Sequence, residues 1–370
     1  MEHSKEDAPS PSWLPSFRTS PQDSDKPITY ADLGISVKHK TQQTVLGTTR
    51  TWNSLSRWEW SYLVVSLLGL SASLGVTIER LVVLKKNSDD YTFAMVLFLT
   101  LVFCFYYVIH GVFKERPYEL GVFIISNFVV LIYCIINYSS CVNAESTNSE
   151  SCTQDIKSMK LVRLVLAAVL SPCLITAGIW LFRNYYVSGN LIYRTVGADL
   201  ALQNMCQNLF LCSTLLKFDL QLEGSMIILV LKNGAVTTDT FERVVLGVGV
   251  FFSVIWIILG FLAMRFEQKV MVWIFLGTSF FEPAYVLYEM IKAHTSKELD
   301  TNLRNCIYLC GSFALVVRVA VFVYMILVMK NFGQGLRQKV YGIKEHLSSD
   351  PPTEIQEDNE VIAPNDKPEP

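Results

Sequence analysis

Four charged residues lie inside long apolar segments of this chain: Lys217, Asp219, Glu282 and Arg318. At the centre of a bilayer each charge costs roughly 2.5–3.5 kcal/mol, so something must compensate for it. At a rise of 1.5 Å per residue, Asp219, Glu282 and Arg318 fall within about 3 Å of the middle of their segments. Charges at one depth can pair directly. We therefore expect Arg318, and Lys217 as a second base, to be fixed counter-charges for the two acids.

Two further acids extend this set. Glu223 follows Asp219 by four residues and Glu289 follows Glu282 by seven, so each pair shares one helix face. Acids then outnumber bases, and a carboxylate without a basic partner in a low dielectric takes up a proton or holds a cation. The pattern predicts a proton relay or a cation pathway with Asp219 and Glu282 as the titrating groups. Structural ion pairs that fix helix register are the alternative interpretation.

The segments that carry these residues are long enough to cross a membrane, which takes about 20 apolar residues in a row. The sequence predicts an all-α, polytopic helical bundle over residues 56–335. Its eight spans are 60–78, 91–113, 118–138, 161–182, 209–231, 244–264, 270–291 and 306–329. The fifth is the weakest because it holds three charges, and a seven-span chain is the alternative.

The connector lengths repeat along the chain. From the first span onward, successive spans are joined by a connector of about twelve residues, then a tight turn, then a longer connector. The same order repeats from the fifth span onward. This order predicts two four-helix units in parallel orientation, as some transporters have. Coincidence among helices of similar length is the alternative.

Composition sets the broad class. Hydrophobic residues make up 51% of the chain and charged residues 17%, and the formal net charge is −2. The bilayer is therefore the expected partner, and nucleic acid is not, because that role requires a basic surface. Residues 1–55 and 345–370 are polar and rich in Pro, Ser or acids, which predicts disordered tails.

The tails and the Lys/Arg distribution favour termini in the cytosol. Cys141 and Cys152 share the polar loop on the opposite side, where they could form a disulfide. Plasma membrane and endomembrane both remain open as locations.

A polar connector precedes the fifth span. Gly197 permits a turn and Asp199 stands where an N-cap would start the next helix. Arg194 could pair with Asp199 or with lipid headgroups. The connector is thus either a capped entry into the membrane or a gate that leads to Asp219.

Residues 193–219, from Tyr193-Arg194-Thr195 to Leu216-Lys217-Phe218-Asp219, resemble a motif of an uncharacterised family of multi-pass membrane proteins from fungi and invertebrate animals. The resemblance extends over about residues 55–335. It implies a polytopic fold and no substrate, because the family has no assigned activity.

The sequence contains neither His-Glu-x-x-His nor Gly-x-Ser-x-Gly, so we predict no metal site and no cofactor. An intramembrane enzyme stays open as a less favoured alternative, which only the acidic residues support. A transporter or channel for a small cation or proton is the favoured function. A seven-span receptor and a membrane scaffold or trafficking protein are the alternatives, and protein partners cannot be named from the sequence.

Overall fold

The computed structural model describes residues 41–44, 47–50, 55–84, 89–146, 154–237, 240–295 and 301–341. The tail predicted at 345–370 and most of the tail at 1–55 lie outside these described residues. Within the N-terminal tail the structure adds an element that the sequence analysis did not predict. Strand β1 (Thr41–Thr44) pairs antiparallel with β2 (Gly47–Arg50).

Helices form the rest of the described chain. In order they are α1 (Arg57–Val83), α2 (Asp89–Phe113), α3 (Pro117–Ser146), α4 (Gln154–Ser188), α5 (Asn190–Val196), α6 (Leu200–Thr237), α7 (Thr240–Phe266), α8 (Lys269–Thr278), α9 (Phe281–Thr295), α10 (Thr301–Lys330) and α11 (Leu336–Tyr341).

The prediction of a polytopic helical bundle is confirmed. Seven segments of the described chain are long and apolar enough to cross a membrane: α1, α2, α3, α4, α7, α10, and α8 with α9 as one unit. Each overlaps a predicted span. The protein is therefore an integral membrane protein by the length and composition of its helices.

The doubtful fifth span corresponds to α6, which does not meet the apolar criterion of the other seven. Helix α6 lies at the centre of the bundle, in contact with α2, α3, α7 and α10. Leu216, Phe218 and Asp219 are buried although they point in different directions around the helix. Because neighbouring helices cover it on several sides, α6 carries polar residues that a lipid-facing helix could not.

The helices pack as two rings of four. In the first ring α1, α2, α3 and α4 contact one another in cyclic order, and in the second α6, α7, the α8–α9 unit and α10 do the same. Tight turns follow α2 and α7, and each turn places a glutamate in the left-handed region, Glu115 with φ 48° and Glu267 with φ 52°. This arrangement agrees with the predicted pair of four-helix units.

The segment that the sequence predicted as span 270–291 is broken in the middle. Helix α8 ends at Thr278, and α9 begins at Phe281, after two intervening residues. Pro283 has no N–H for the carbonyl of Ser279, so a continuous helix would lose a hydrogen bond at this point. The break places Glu282 in the first turn of α9.

Candidate functional site

Three carboxylates from two helices meet one guanidinium inside the second ring. We call Asp219, Glu223, Glu282 and Arg318 the midplane site. The Arg318 Nη2 atom lies 3.0 Å from Asp219 Oδ2, and it also pairs with carboxylate oxygens of Glu223 and Glu282. The expected ion pairs among these residues of α6, α9 and α10 are therefore present in the structure.

The site is almost closed to the exterior. Asp219 is fully buried, and Glu223 and Arg318 are 5% and 4% exposed. Glu282 is the most accessible member, with 17% of its side chain exposed. Asp219 and Glu223 meet the same Arg318 because residues four apart lie one above the other on a helix face. Glu282 therefore marks the side from which the site can be approached.

Helix α7 holds Arg318 in place. The Trp256 ring lies 3.9 Å below the Arg318 guanidinium carbon, within cation–π range. Trp256 in turn donates a hydrogen bond of 3.2 Å from Nε1 to the carbonyl of Phe275, and the two rings stack at 4.0 Å. Arg318 is thus fixed by packing as well as by its acidic partners.

The charges and hydrogen bonds of the site do not balance. With all three carboxylates ionised, the four side chains would carry a net charge of −2 in a buried space. Among the described residues, Asp219 Oδ1 has no hydrogen-bond partner, Asp219 Oδ2 has only its ion pair with Arg318 Nη2, and Arg318 Nε and Nη1 have no acceptor. Carboxylate oxygens of Asp219, Glu223 and Glu282 lie within 4.8 Å of one another. This arrangement suits a shared proton or a small cation with oxygen ligands.

The site lies near the middle of the bundle along the helix axes. Arg318 is about 18 Å before the end of α10, and Glu282 is about 20 Å after the start of α8, at 1.5 Å per residue. On α6, Phe210 marks the level of the α2–α3 turn, because the Arg116 guanidinium of that turn lies 4.4 Å from the Phe210 ring. Glu223 is about 20 Å beyond that level. The three helices therefore present their charges at one depth.

Lys217 does not serve this site as the sequence analysis expected. Its Nζ atom donates a hydrogen bond of 2.6 Å to Glu119 Oε1 in the first turn of α3. Lys217 and Asp219 are two residues apart, so they face nearly opposite sides of α6. A helical side chain also leans towards the helix N-terminus, which brings Lys217 towards the α2–α3 turn.

Glu119 is the centre of a second charged cluster, which the sequence analysis missed. We call Glu119, Lys217, His110 and Arg116 the turn cluster. Glu119 is fully buried, contacts His110 Nδ1 and lies 3.7 Å from Arg116 Nη1. Here bases outnumber the acid. Charged residues at helix ends are common in membrane proteins, so no sequence pattern indicates that Glu119 is buried.

The α2–α3 turn beside this cluster also contains a buried base. Lys114, in the α2–α3 turn, is 7% exposed. Desolvation, assisted by the nearby positive charges of Arg116 and Lys217, lowers the pKa of Lys114 to about 8. Lys114 thus adds a buried base to this end of the bundle, next to the buried Glu115 of the same turn. Helices α1 and α4 reach the same end, where Tyr185 donates a hydrogen bond of 2.7 Å to Glu59.

Two groups of predicted residues lie away from the midplane site. Glu289 is buried on α9, about 10 Å further along the helix than Glu282. In the connector before α6, Asp199 Oδ1 accepts a hydrogen bond of 2.9 Å from the Ala201 N–H, which is N-cap geometry. Gly197 has φ +83° and ends α5. Arg194 lies within α5, and its side chain is outside the described part.

Cys141, near the end of α3, is disulfide-bonded. Cys152, its predicted partner, lies outside the described residues, so the pairing itself stays a prediction. The other seven cysteines of the chain are free.

Comparison with known proteins agrees with this architecture. The model of a family defined by a domain of unknown function (DUF7789) matches residues 46–183 and 196–327. The chain belongs to this family. The two matched segments correspond closely to the two rings of helices, and the family description carries no activity. No curated protein and no solved structure matches the chain.

Proposed function

We propose that this DUF7789 protein moves a proton or a small cation across the membrane through the midplane site. Asp219, Glu223 and Glu282 are the groups that bind it, and Arg318 is the fixed counter-charge. The observation that carries the proposal is the convergence of three carboxylates on one nitrogen of Arg318 at the middle of the bundle.

Charge balance supports a mobile positive species. A buried site with three carboxylates and one guanidinium is short of positive charge, and an uncompensated charge inside a membrane protein is expensive. A structural ion pair would need one acid for the single base. The two additional acids are better explained by a ligand that binds and leaves.

The break between α8 and α9 supports a binding role. Broken helices at the middle of the membrane form the substrate and ion sites of many transporters, because helix ends there present free polar groups. Glu282 stands at such an end and is the accessible member of the site. It is therefore the residue that first receives the ion, and Asp219 and Glu223 hold it more deeply.

The turn cluster supports a direction of access. Its excess of basic groups lies between the midplane site and the end of the bundle that bears the α2–α3 turn. Positive side chains repel a cation, so access from the opposite end is favoured. In this scheme Lys217 blocks exit towards the turn end until its pair with Glu119 opens.

Membrane topology completes the proposal. Helix α6, the fifth span in chain order, raises the number of spans from seven to eight, and its neighbours rather than its own hydropathy hold it in the bilayer. Eight spans place both termini on one side, and the Lys/Arg distribution favours the cytosol as that side.

Flux measurements in proteoliposomes test the function. A lumenal pH dye reports protons, and cation-selective dyes report sodium or potassium, with the gradient of each ion imposed separately. We expect Asp219→Asn and Glu282→Gln to lose most of the flux. Glu79→Gln is the control, because Glu79 is exposed on α1. Full flux in both site variants, or no flux of any ion in the native protein, would refute the proposal.

A further inference from the structure

A cavity of about 140 Å³ lies on the face of α6 that points away from the midplane site. Helices α2, α3, α6 and α10 form its walls through residues such as Leu97, Val129, Phe218 and Leu309. It is as large as the engineered apolar cavities that stay dry and accept benzene-sized molecules. The walls therefore suit a hydrocarbon rather than a cluster of waters.

One polar group in this cavity lacks a partner. Gln221 lines the wall and is 4% exposed, and its Oε1 atom has no hydrogen-bond partner among the described residues. Its Nε2 atom lies 3.4 Å from Ser126 Oγ on α3, a long hydrogen bond. A buried polar group without a partner is destabilising, so a ligand that pairs with it is favoured.

Three other hydroxyls of the wall already have a partner. The Tyr133 hydroxyl accepts a hydrogen bond of 3.1 Å from Asn137 Nδ2. Thr100 donates to the Val96 carbonyl at 2.9 Å, and Ser225 donates to the Gln221 carbonyl at 2.8 Å. Among the described residues that line the cavity, none is charged. An ionised headgroup would thus find no counter-charge, which excludes fatty acids and phospholipid headgroups from the interior.

The cavity opens on the outer surface of the bundle. Ile125, Leu309 and Phe313 stand at its edge and are 44%, 47% and 37% exposed. They belong to α3 and α10, which are long and apolar enough to cross a membrane, so we infer that these exposed side chains face lipid. A ligand would therefore enter sideways from the bilayer. Gln221 lies between Asp219 and Glu223 along α6, so the polar contact is near the middle of the membrane.

We propose that this cavity binds the hydroxyl-bearing end of a neutral, hydrocarbon-rich alcohol from the bilayer. A hydroxyl both donates and accepts, so it pairs with the Gln221 amide in either orientation of that amide. The apolar remainder fills the cavity and its opening between Ile125 and Leu309. A molecule whose only polar group is a hydroxyl can reach this depth, whereas a charged lipid cannot.

Photolabelling of the full-length protein in phosphatidylcholine vesicles tests this site. The probe is a long-chain primary alcohol with a diazirine and an alkyne, and the labelled peptides are identified by mass spectrometry. We expect labels on α3 and α10 peptides that line the cavity. Unlabelled alcohol should compete with the probe, and the matched alkane and carboxylic acid should compete about three- to tenfold less well, the effect of one hydrogen bond.

Two matched variants localise the label. Val129→Phe puts a ring into the cavity and should abolish labelling, and Val169→Phe makes the same change on an exposed lipid-facing position of α4 that does not line it. Gln221→Leu should remove the preference for the alcohol over the alkane while labelling persists.

Three results would overturn the proposal. The first is equal competition by alcohol, alkane and acid, which would indicate unspecific contact with lipid chains. The second is undiminished labelling of Val129→Phe. The third is no labelling of the cavity in the native protein, which would leave water as its content. None of these measurements depends on ion flux, so the cavity proposal can fail while the proposed transport function stands, and the reverse.

Discussion

Replacement of Arg318 by glutamine should destabilise the protein far more than an ordinary charge neutralisation. The substitution leaves Asp219, Glu223 and Glu282 without their shared base in a space where Asp219 is fully buried. It also removes the cation from the face of Trp256 at 3.9 Å. The remaining carboxylates then repel one another.

The expected size follows from measured buried pairs. Removal of one partner of a buried ion pair costs about 3–5 kcal/mol, because the other charge stays buried and unpaired. The cation–π contact, worth about 2 kcal/mol when desolvated, is part of that loss rather than an addition to it. A loss of about 3–5 kcal/mol lowers the folding equilibrium constant by about two to four orders of magnitude.

Unfolding in mixed micelles with increasing dodecyl sulfate, followed by tryptophan fluorescence, measures this loss. Arg304→Gln on the same helix is the control and should stay within about 0.5 kcal/mol of the native protein. Addition of Glu223→Gln to Arg318→Gln should recover part of the stability, with a coupling energy of about 1–3 kcal/mol. An Arg318→Gln loss below about 1 kcal/mol, or additive effects of the two substitutions, would refute this account of the site.

Three further predictions use the same unfolding assay. Gly260→Ala should cost about 1–3 kcal/mol, since a new Cβ would lie 2.7 Å from the Phe275 ring. Gly277→Ala is its control, with no atom within 4 Å of the new Cβ, and a similar loss there would contradict the packing explanation. Gly197→Ala should cost about 1–3 kcal/mol because φ +83° with ψ −155° is a conformation that essentially only glycine adopts, and an unchanged midpoint would show that the connector relaxes. Lys217→Met should cost about 3–5 kcal/mol by leaving buried Glu119 without the ammonium group that pairs with its Oε1, whereas a loss confined to ion flux would show that His110 and Arg116 suffice for stability.

Hydropathy predicted the seven lipid-facing helices because their composition is set by contact with the bilayer. Helix α6 could not be judged in this way, since its surroundings are other helices rather than lipid. The neighbouring helices cover α6 and so allow it to carry polar residues, and these residues lower its mean hydropathy. The only sequence feature that indicated the break between α8 and α9 was Pro283, which predicts a kink but not where the helix ends or how many residues the break covers.

The midplane site was predictable in part from depth counting. Asp219, Glu282 and Arg318 lie on separate helices, and their equal distances from the span ends suggested that they meet. Residue spacing also placed Glu223 on the face of Asp219. Depth alone could not separate Lys217 from this group, because Lys217 lies at a similar depth. It pairs with Glu119 because it projects from a different side of α6.

The turn cluster and the cavity at Gln221 could not be predicted from the sequence. Glu119 lies beside a tight turn, where an exposed glutamate is the ordinary expectation, and its burial depends on α6 passing the α2–α3 turn. The unpaired amide oxygen of Gln221 depends on how four helices meet. Neither feature has a local sequence pattern, because both arise from the tertiary packing of distant segments.

The most direct test of the central claim is the protonation state of the midplane site in the reconstituted protein. Infrared difference spectroscopy, recorded in buffers with a bulky organic cation and then with sodium or potassium, detects the carbonyl stretch of a buried carboxylic acid. We predict a carboxylic acid band in the organic-cation buffer that decreases when a small cation binds or the pH rises, and that is altered in Asp219→Asn. Absence of the band at every pH, together with no bound small cation, would mean that a net charge of −2 persists in the membrane, and this result would contradict the account.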